Sequence, residues 1–107
     1  VTNMEGMFWQ NRTFNQPLNS WNVSNVTTMR QMFGASPLSG ILTSFNQPLN
    51  NWDVSNVTDM REMFRRNSKF NQNLSSWCVS GIPSKPELFD DNTPAWTLPR
   101  PVWGYCL

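Results

Sequence analysis

Histidine is absent from this chain of 107 residues, and cysteine occurs only twice. Without histidine, and with no C-x-x-C pair, the common zinc-binding spacings cannot be built. The lack of histidine also argues against a hydrolase, since histidine is the usual general base. We therefore expect no metal site, no cofactor and no catalytic residue, and predict that the protein is not an enzyme.

Charge and long apolar runs are also scarce. Charged residues make up 14% of the chain, the net charge is +1, and no long block of like charge occurs. Nucleic acid is therefore not expected as a partner. No run of about 18 apolar residues is present, which argues against a membrane-spanning segment. The chain begins VTNMEG, without an initiator methionine or a signal-peptide pattern, so we expect a processed or excised piece.

What the chain does have is one unit written three times. It reads FNQPLNSWNVSNVTTMRQMF at residues 14–33, FNQPLNNWDVSNVTDMREMF at 45–64, and FNQNLSSWCVSGIPSKPELF at 70–89. A unit repeated at a fixed spacing is the signature of a repeat protein.

The spacing of the tryptophans gives the period. Trp21 and Trp52 are 31 residues apart, whereas Trp52 and Trp77 are 25 apart, so the longer interval carries a six-residue insertion within 34–44. We predict a single domain over the whole chain, 1–107, in which repeats span 1–79 and an atypical C-terminal cap spans 80–107.

Two patterns within the unit predict its local structure. The M-x-x-M-F segments keep the i, i+3, i+4 spacing of a short helix, and the W-x-V segments alternate like a short strand. A period of 25 lies within the range of leucine-rich-repeat coils. The predicted fold is thus an α/β repeat solenoid of the leucine-rich-repeat kind, with about four 25-residue coils, a parallel strand ladder, short helices and a cap rich in Pro, Trp and Cys. The expected core ladder consists of Trp21, Trp52, Trp77, Phe33, Phe64 and Phe89.

Polar side chains recur as regularly as the apolar ones. Asn15, Asn46 and Asn71 stand at one phase of the repeat. We expect them to satisfy turn backbone groups that would otherwise be unpaired.

The two cysteines, Cys78 and Cys106, lie 28 residues apart. Subtracting one period places Cys106 at the phase of Gly81, three residues from Cys78, so a disulfide that joins the cap to the last repeat is predicted. The alternative is a pair of unbonded buried thiols. A disulfide indicates an oxidising, extracellular setting.

Five asparagines begin Asn-x-Ser/Thr sequons, which are acceptors for N-glycosylation in secreted proteins. Asn11 and Asn73 lie outside the constant repeat string and are the better candidates, whereas Asn22, Asn25 and Asn56 are weaker, because the repeat itself explains them.

Acidic residues offer no convincing catalytic pair. Asp59 and Glu62 have no counterparts in the preceding repeat, and we expect them to pair with Arg61, Arg65 or Arg66 on a solvated face.

The start of the chain aligns with the middle of the unit, because VTNMEGMF matches VTTMRQMF and VTDMREMF. Its apolar side chains would face outward with no coil above them, and such an edge favours association. The predicted assembly edge consists of Val1, Met4, Met7, Phe8 and Phe14.

The W-x-V-S-N-V-T-x-M-x-x-M-F string and the ending PAWTLPRPVWGYC resemble the repeat and the terminal segment of BspA-like leucine-rich-repeat surface proteins. The resemblance covers essentially the whole chain, and it implies a secreted or cell-surface solenoid used in adhesion and protein binding, with no shared catalytic residues. We therefore expect a non-enzymatic extracellular module whose partner is a protein or a glycan at a surface. The alternative is a structural subunit, glycosylated or not, that assembles head to tail into an extracellular filament.

Overall fold

Equivalent residues of successive repeats lie beside one another in the computed structural model, which describes residues 1–106. The chain alternates between two kinds of segment, within a body of 36 × 26 × 21 Å. We name them Met segments, after the methionines of the first three, and Trp segments. The Met segments are residues 1–11, 26–36, 57–67 and 82–92, and the Trp segments are residues 14–24, 45–55, 70–80 and 95–105. Leu107, the last residue of the predicted cap, lies outside the described residues.

Backbone hydrogen bonds join each Met segment to the next. The Met4 N–H donates to Thr28 O at 3.0 Å, and the Met29 N–H donates to Asp59 O at 2.9 Å. Isolated parallel bridges form at these points, between Asn3 and Thr28 and between Thr28 and Asp59. Further N–H groups, two residues apart, donate in the same way along each segment. These bonds hold neighbouring repeats in register.

The helices predicted for the M-x-x-M-F segments are absent, and that prediction is wrong. The Met32 N–H donates to Met29 O at 3.2 Å, which closes a turn rather than a helical bond to the fourth residue back. Inside the turns, Gln31 and Glu62 have left-handed φ angles of 62° and 58°, which an α-helix does not contain. The spacing did mark side chains that share the core, because Met29, Met32 and Phe33 are buried. It could not show that alternate N–H groups bond to the neighbouring repeat.

The parallel strand ladder predicted through W-x-V is wrong as well. Trp52 and Val54 are buried and Asp53 is exposed, as the alternation indicates. However, the Trp52 N–H donates to Leu49 O at 3.1 Å and so closes a turn. No backbone bond joins the first three Trp segments, and the described part of the chain contains no sheet. The protein is therefore not an α/β solenoid of the leucine-rich-repeat kind.

Side chains, rather than backbone ladders, connect successive Trp segments. The Asn46 N–H donates to Asn15 Oδ1 at 2.8 Å, and the Asn71 N–H donates to Asn46 Oδ1 at 3.0 Å. In the same way, Trp52 Nε1 donates to Leu18 O at 2.8 Å. The predicted role of the repeated asparagines is thus confirmed. It also explains the missing ladder, because a side-chain oxygen stands where the carbonyl of a neighbouring strand would accept.

Stacked aromatic rings fill the space between the Met and Trp segments. The ring centroids of Phe33 and Phe45 are 4.1 Å apart, and those of Phe64 and Phe70 are 4.2 Å apart. Offset contacts of this kind add to the stabilisation from burial. Among the six positions expected to form the core ladder, five are buried, namely Trp52, Trp77, Phe33, Phe64 and Phe89.

Trp21, the sixth position, is 40% exposed. It has no preceding Trp segment beside it, so its indole lacks the carbonyl that accepts from Trp52 in the next repeat. Its ring lies beside that of Phe8 instead, with the ring centroids 6.4 Å apart. Trp21 and Trp52 occupy the same place in the repeat, but only Trp52 has a preceding Trp segment beside it, and only Trp52 is buried.

The last Met segment is displaced by one residue from the alignment of the sequence. The Phe89 N–H donates to Pro86 O at 3.2 Å, just as the Met63 N–H donates to Met60 O at 3.2 Å. Phe89 therefore takes the place of Met63 rather than that of Phe64, with which the sequence aligned it. Pro86, which has no N–H, takes the place of Met60.

The insertion contains a 3-10 helix, Pro37–Ser39. Ser36 caps it, because the Ser36 side chain accepts a hydrogen bond from the Leu38 N–H, and Gly40 ends it with φ 69°. No helix in residues 1–106 has the length and apolar character needed to cross a membrane.

Candidate interaction surfaces

The two cysteines form the disulfide that the sequence predicts, between Cys78 and Cys106. Backbone bonds hold the cap beside the third Trp segment: the Leu74 N–H donates to Pro99 O at 3.0 Å and the Val79 N–H donates to Tyr105 O at 2.9 Å. The cap is thus joined to the third Trp segment by backbone hydrogen bonds and by the disulfide of Cys106.

Asp90 is the centre of an ion-pair cluster in the C-terminal part. Lys85 Nζ lies 2.6 Å from Asp90 Oδ1, and Arg100 Nε lies 3.0 Å from Asp90 Oδ2. The guanidinium of Arg100 also lies over the Trp96 ring, 4.5 Å from its centroid. Burial raises the pKa of Asp90, but the hydrogen bonds and charges of Lys85 and Arg100 outweigh it, so the net pKa is lowered. This cluster could not be predicted from the sequence, since its members are separated along the chain.

We expect Asp90 to make the protein sensitive to acid. Because its pKa in the folded protein is below the ordinary value of 3.8, its contribution to stability is complete above that value. That contribution is lost as the pH falls through the lowered pKa, so the thermal midpoint should drop below about pH 4. Asp90→Asn should lower the midpoint at pH 7 and flatten its fall in acid.

Asp53→Asn is the matched control for Asp90→Asn. Asp53 accepts hydrogen bonds from the Ser55 side chain and N–H, which lower its pKa, but it is exposed. Asn22 makes the same contacts with Ser24 one repeat earlier, so Asp53→Asn should leave the midpoint at pH 7 almost unchanged. Equal midpoints for Asp90→Asn and the unaltered protein from pH 3 to 7 would contradict the prediction.

The predicted assembly edge is only partly exposed. Val1 is 79% and Met7 is 43% exposed, whereas Met4 is buried in the hydrophobic core. Phe8 and Phe14 are partly buried and stack on each other, with ring centroids 3.8 Å apart. The edge is an apolar surface with a wide range of exposure rather than a uniform face.

All sequon asparagines are exposed, at Asn11, Asn22, Asn25, Asn56 and Asn73. The side-chain oxygens of Asn11 and Asn73 accept hydrogen bonds from Thr13 and Ser75, two residues further along. The sequon asparagines do differ in their contacts, because Asn56 Nδ2 donates to Ser24 O at 2.7 Å.

The insertion forms an apolar protrusion that sequence reasoning treated only as a surface loop. Leu38 is 96% exposed at its tip, and Leu42 is 44% exposed beside it. The Ser39 hydroxyl donates to Ser36 O at 2.7 Å, and its oxygen accepts from the Ile41 N–H at 3.1 Å. The only signal in the sequence was the pair of leucines within a stretch otherwise rich in Gly, Ser and Pro.

An open groove of about 390 Å³ lies where the last Met segment departs from the repeat. Its lining carries both charge signs, from Asp59, Arg61, Lys85 and Glu87. Arg61 is held by Asp59 at 2.9 Å, and the hydrogen bond from Arg61 is the main cause of the lowered pKa of Asp59. The groove therefore has a lining of mixed charge, in which Asp59 is paired with Arg61 and Glu87 is exposed to solvent.

The two acids that we expected to be paired, Asp59 and Glu62, lie in ion pairs with Arg61 at 2.9 Å and with Arg65 at 3.2 Å. Asp91, for which no pairing was predicted, contacts the guanidinium of Arg65 at 3.3 Å. Over residues 1–106, no group of three or more His, Cys, Asp or Glu side chains is arranged to hold a metal ion.

Comparison with protein families identifies the repeat. A family model described as "Mycoplasma protein of unknown function, DUF285" matches residues 1–97. The chain belongs to this family. The match covers all three copies of the unit and the first part of the cap of this DUF285 chain. Neither the search of curated proteins nor the search of solved structures finds a match.

Proposed function

We propose that this chain is a non-enzymatic module, outside the cell or on its surface, that binds another protein in adhesion. The observation that carries the proposal is the protruding insertion, with Leu38 held at its tip. The family match gives no function. The resemblance of the repeat string to that of BspA-like surface proteins supports an adhesive role.

The insertion has the properties of a recognition loop. Four hydrogen bonds fix the shape of the insertion. Three of them lie among residues 36–41, and in the fourth Thr43 Oγ1 donates to Phe33 O at 2.6 Å. An ordered loop loses little conformational entropy when it binds, so an apolar tip on such a loop can contribute more affinity than one on a flexible chain. The loop is also the one interruption of an otherwise repeated unit, and loops on a rigid scaffold carry binding functions.

The extracellular location rests on the disulfide. A bond between Cys78 and Cys106 persists in an oxidising compartment and is rare in the reducing cytosol. The non-enzymatic character is supported by the absence of histidine from the sequence and by the pairing of three acids, because Asp59, Glu62 and Asp90 each lie against a basic side chain.

Binding to coated surfaces tests this function. Surfaces carrying fibronectin, laminin or serum albumin are exposed to the protein, and saturable binding to an extracellular-matrix protein but not to albumin is expected. Leu38→Ser should weaken that binding by about tenfold or more, as for a central apolar contact. Leu42→Ser should have a smaller effect.

Leu98→Ser is the matched control, because Leu98 is 41% exposed, close to the exposure of Leu42, and lies in the cap. It should bind like the unaltered protein. Equal loss of binding in Leu38→Ser and Leu98→Ser, or no binding to any matrix protein, would refute the proposed role of the insertion.

A further inference from the structure

The first Met segment has a row of backbone acceptors on its outer side. In the second Met segment the carbonyls at positions 28, 30, 32 and 34 accept N–H groups from the first. The equivalent carbonyls of the first segment belong to Asn3, Glu5, Met7 and Trp9. None of these four accepts a hydrogen bond from residues 1–106.

The last Met segment has a row of donors on its outer side. In the third Met segment, the N–H groups of residues 62, 64 and 66 donate to the carbonyls of Glu87, Phe89 and Asp91, at 3.0, 3.0 and 2.8 Å. Their equivalents in the last segment, after its one-residue shift, are the N–H groups at positions 88, 90 and 92. These three N–H groups donate to no acceptor within the described chain.

We propose that copies of this chain stack head to tail, with the last Met segment of one copy against the first Met segment of the next. The Leu88 N–H would donate to Glu5 O, and the N–H groups at 90 and 92 would donate to Met7 O and Trp9 O. The fourth bond of the row is missing because Pro86 has no N–H. The new contact continues the pairing that already joins the Met segments within one chain.

Two further observations favour a second copy as the occupant. Acceptors cannot pair with acceptors, so two first segments cannot form backbone hydrogen bonds through these rows, whereas the last Met segment has a donor row with the same two-residue spacing. Apolar side chains are also exposed near both ends: Val1, Met7 and Trp21 near the first, Leu88, Val102 and Tyr105 near the last. A contact between unlike ends continues into an open filament unless its rotation closes a ring.

One like-charge pair opposes the stacking and provides the test. Glu5, Arg30, Arg61 and Glu87 occupy equivalent places in the four Met segments, so Glu87 of one copy would lie beside Glu5 of the next. Glu5→Lys and Glu87→Lys should each replace repulsion by attraction and tighten association by about 2- to 10-fold. The double variant restores a like-charge pair, so its association should fall back to that of the unaltered protein or below.

Sedimentation over a concentration series measures the association of the unaltered 107-residue protein, the two single variants and the double variant. Both single variants raise the net positive charge, which by itself weakens self-association, so tighter association in them cannot come from net charge. Hydrogen exchange provides the local readout: the amides of Leu88, Asp90 and Asn92 should exchange more slowly as the concentration rises.

Two results would overturn the proposal. One is a protein that remains monomeric up to about 1 mM in the unaltered and both single-variant forms. The other is association without slower exchange at the three amides, which would place the contact elsewhere. Neither result bears on the binding role of Leu38, which is measured at concentrations where the chain is monomeric.

Discussion

Replacing Trp52 by alanine should lower the free energy of unfolding by about 3 to 5 kcal/mol. Trp52 is buried, stacks on Trp77 at 6.5 Å and approaches Phe33 at 6.3 Å. Its indole also donates to Leu18 O, and the truncation leaves that carbonyl without this donor. Since small domains are stable by about 5 to 15 kcal/mol, this loss is a large share of the total.

Trp21→Ala is the matched control, because it removes the same side chain at the same repeat phase. Trp21 is 40% exposed and its indole has no carbonyl partner in the described chain, so we expect a loss of about 1 kcal/mol or less. Trp52→Phe should fall between the two, since it keeps an aromatic ring and loses the N–H. Denaturant unfolding measures all three, and equal losses for Trp52→Ala and Trp21→Ala would contradict the assignment.

Loss of the disulfide should have the second large effect. In the chain-entropy account, opening a loop of the size closed by Cys78 and Cys106 lowers stability by about 3 to 4 kcal/mol. The double variant Cys78→Ser, Cys106→Ser should therefore unfold at lower denaturant, and reductant should shift the unaltered protein in the same direction. Reductant should leave the double variant unchanged, which makes it the control.

Hydrogen exchange shows where the disulfide acts. Reduction should first speed amide exchange in the cap, residues 80–106. Without the disulfide, the cap is held by weaker contacts, such as the hydrogen bond from the Val79 N–H to Tyr105 O and the ion pairs of Asp90. The amide of Met29 lies in the second Met segment, far along the row of segments from the cap, and should stay protected from exchange. Mass measurement adds a direct check, because two alkylatable thiols in the unreduced protein would contradict the bond itself.

Much of the core packing could be predicted from the residues that recur in each copy of the repeat. The two residues Met29 and Phe33 are buried, as the i, i+4 spacing indicated, and the asparagines at one phase bond the neighbouring segment. These predictions succeed because a core position must be apolar in each copy whatever backbone carries it. The spacing i, i+3, i+4 also fits a chain of tight turns, so it could not distinguish a helix from the turns that are present.

The surfaces were harder to predict than the core. Exposed Leu38 looked like part of an ordinary loop, because the rigidity of the loop depends on hydrogen bonds that the sequence does not display, from Ser39 to Ser36 and from Thr43 to Phe33. The sequence also could not show that Phe89 takes the place of Met63, since the second and third copies of the repeat align without a gap.

The sequence by itself determined the period and most of the side chains that enter the core, and it predicted the bond between Cys78 and Cys106. Only the tertiary structure decided what the backbone does between those points and which edge groups are left open. The reason is physical: burial depends on the character of a side chain, which each repeat carries in its letters. The partner of an N–H or a carbonyl depends on which segment lies alongside, so Met29 bonds to Asp59 while the acceptor at Met7 bonds to no other described residue.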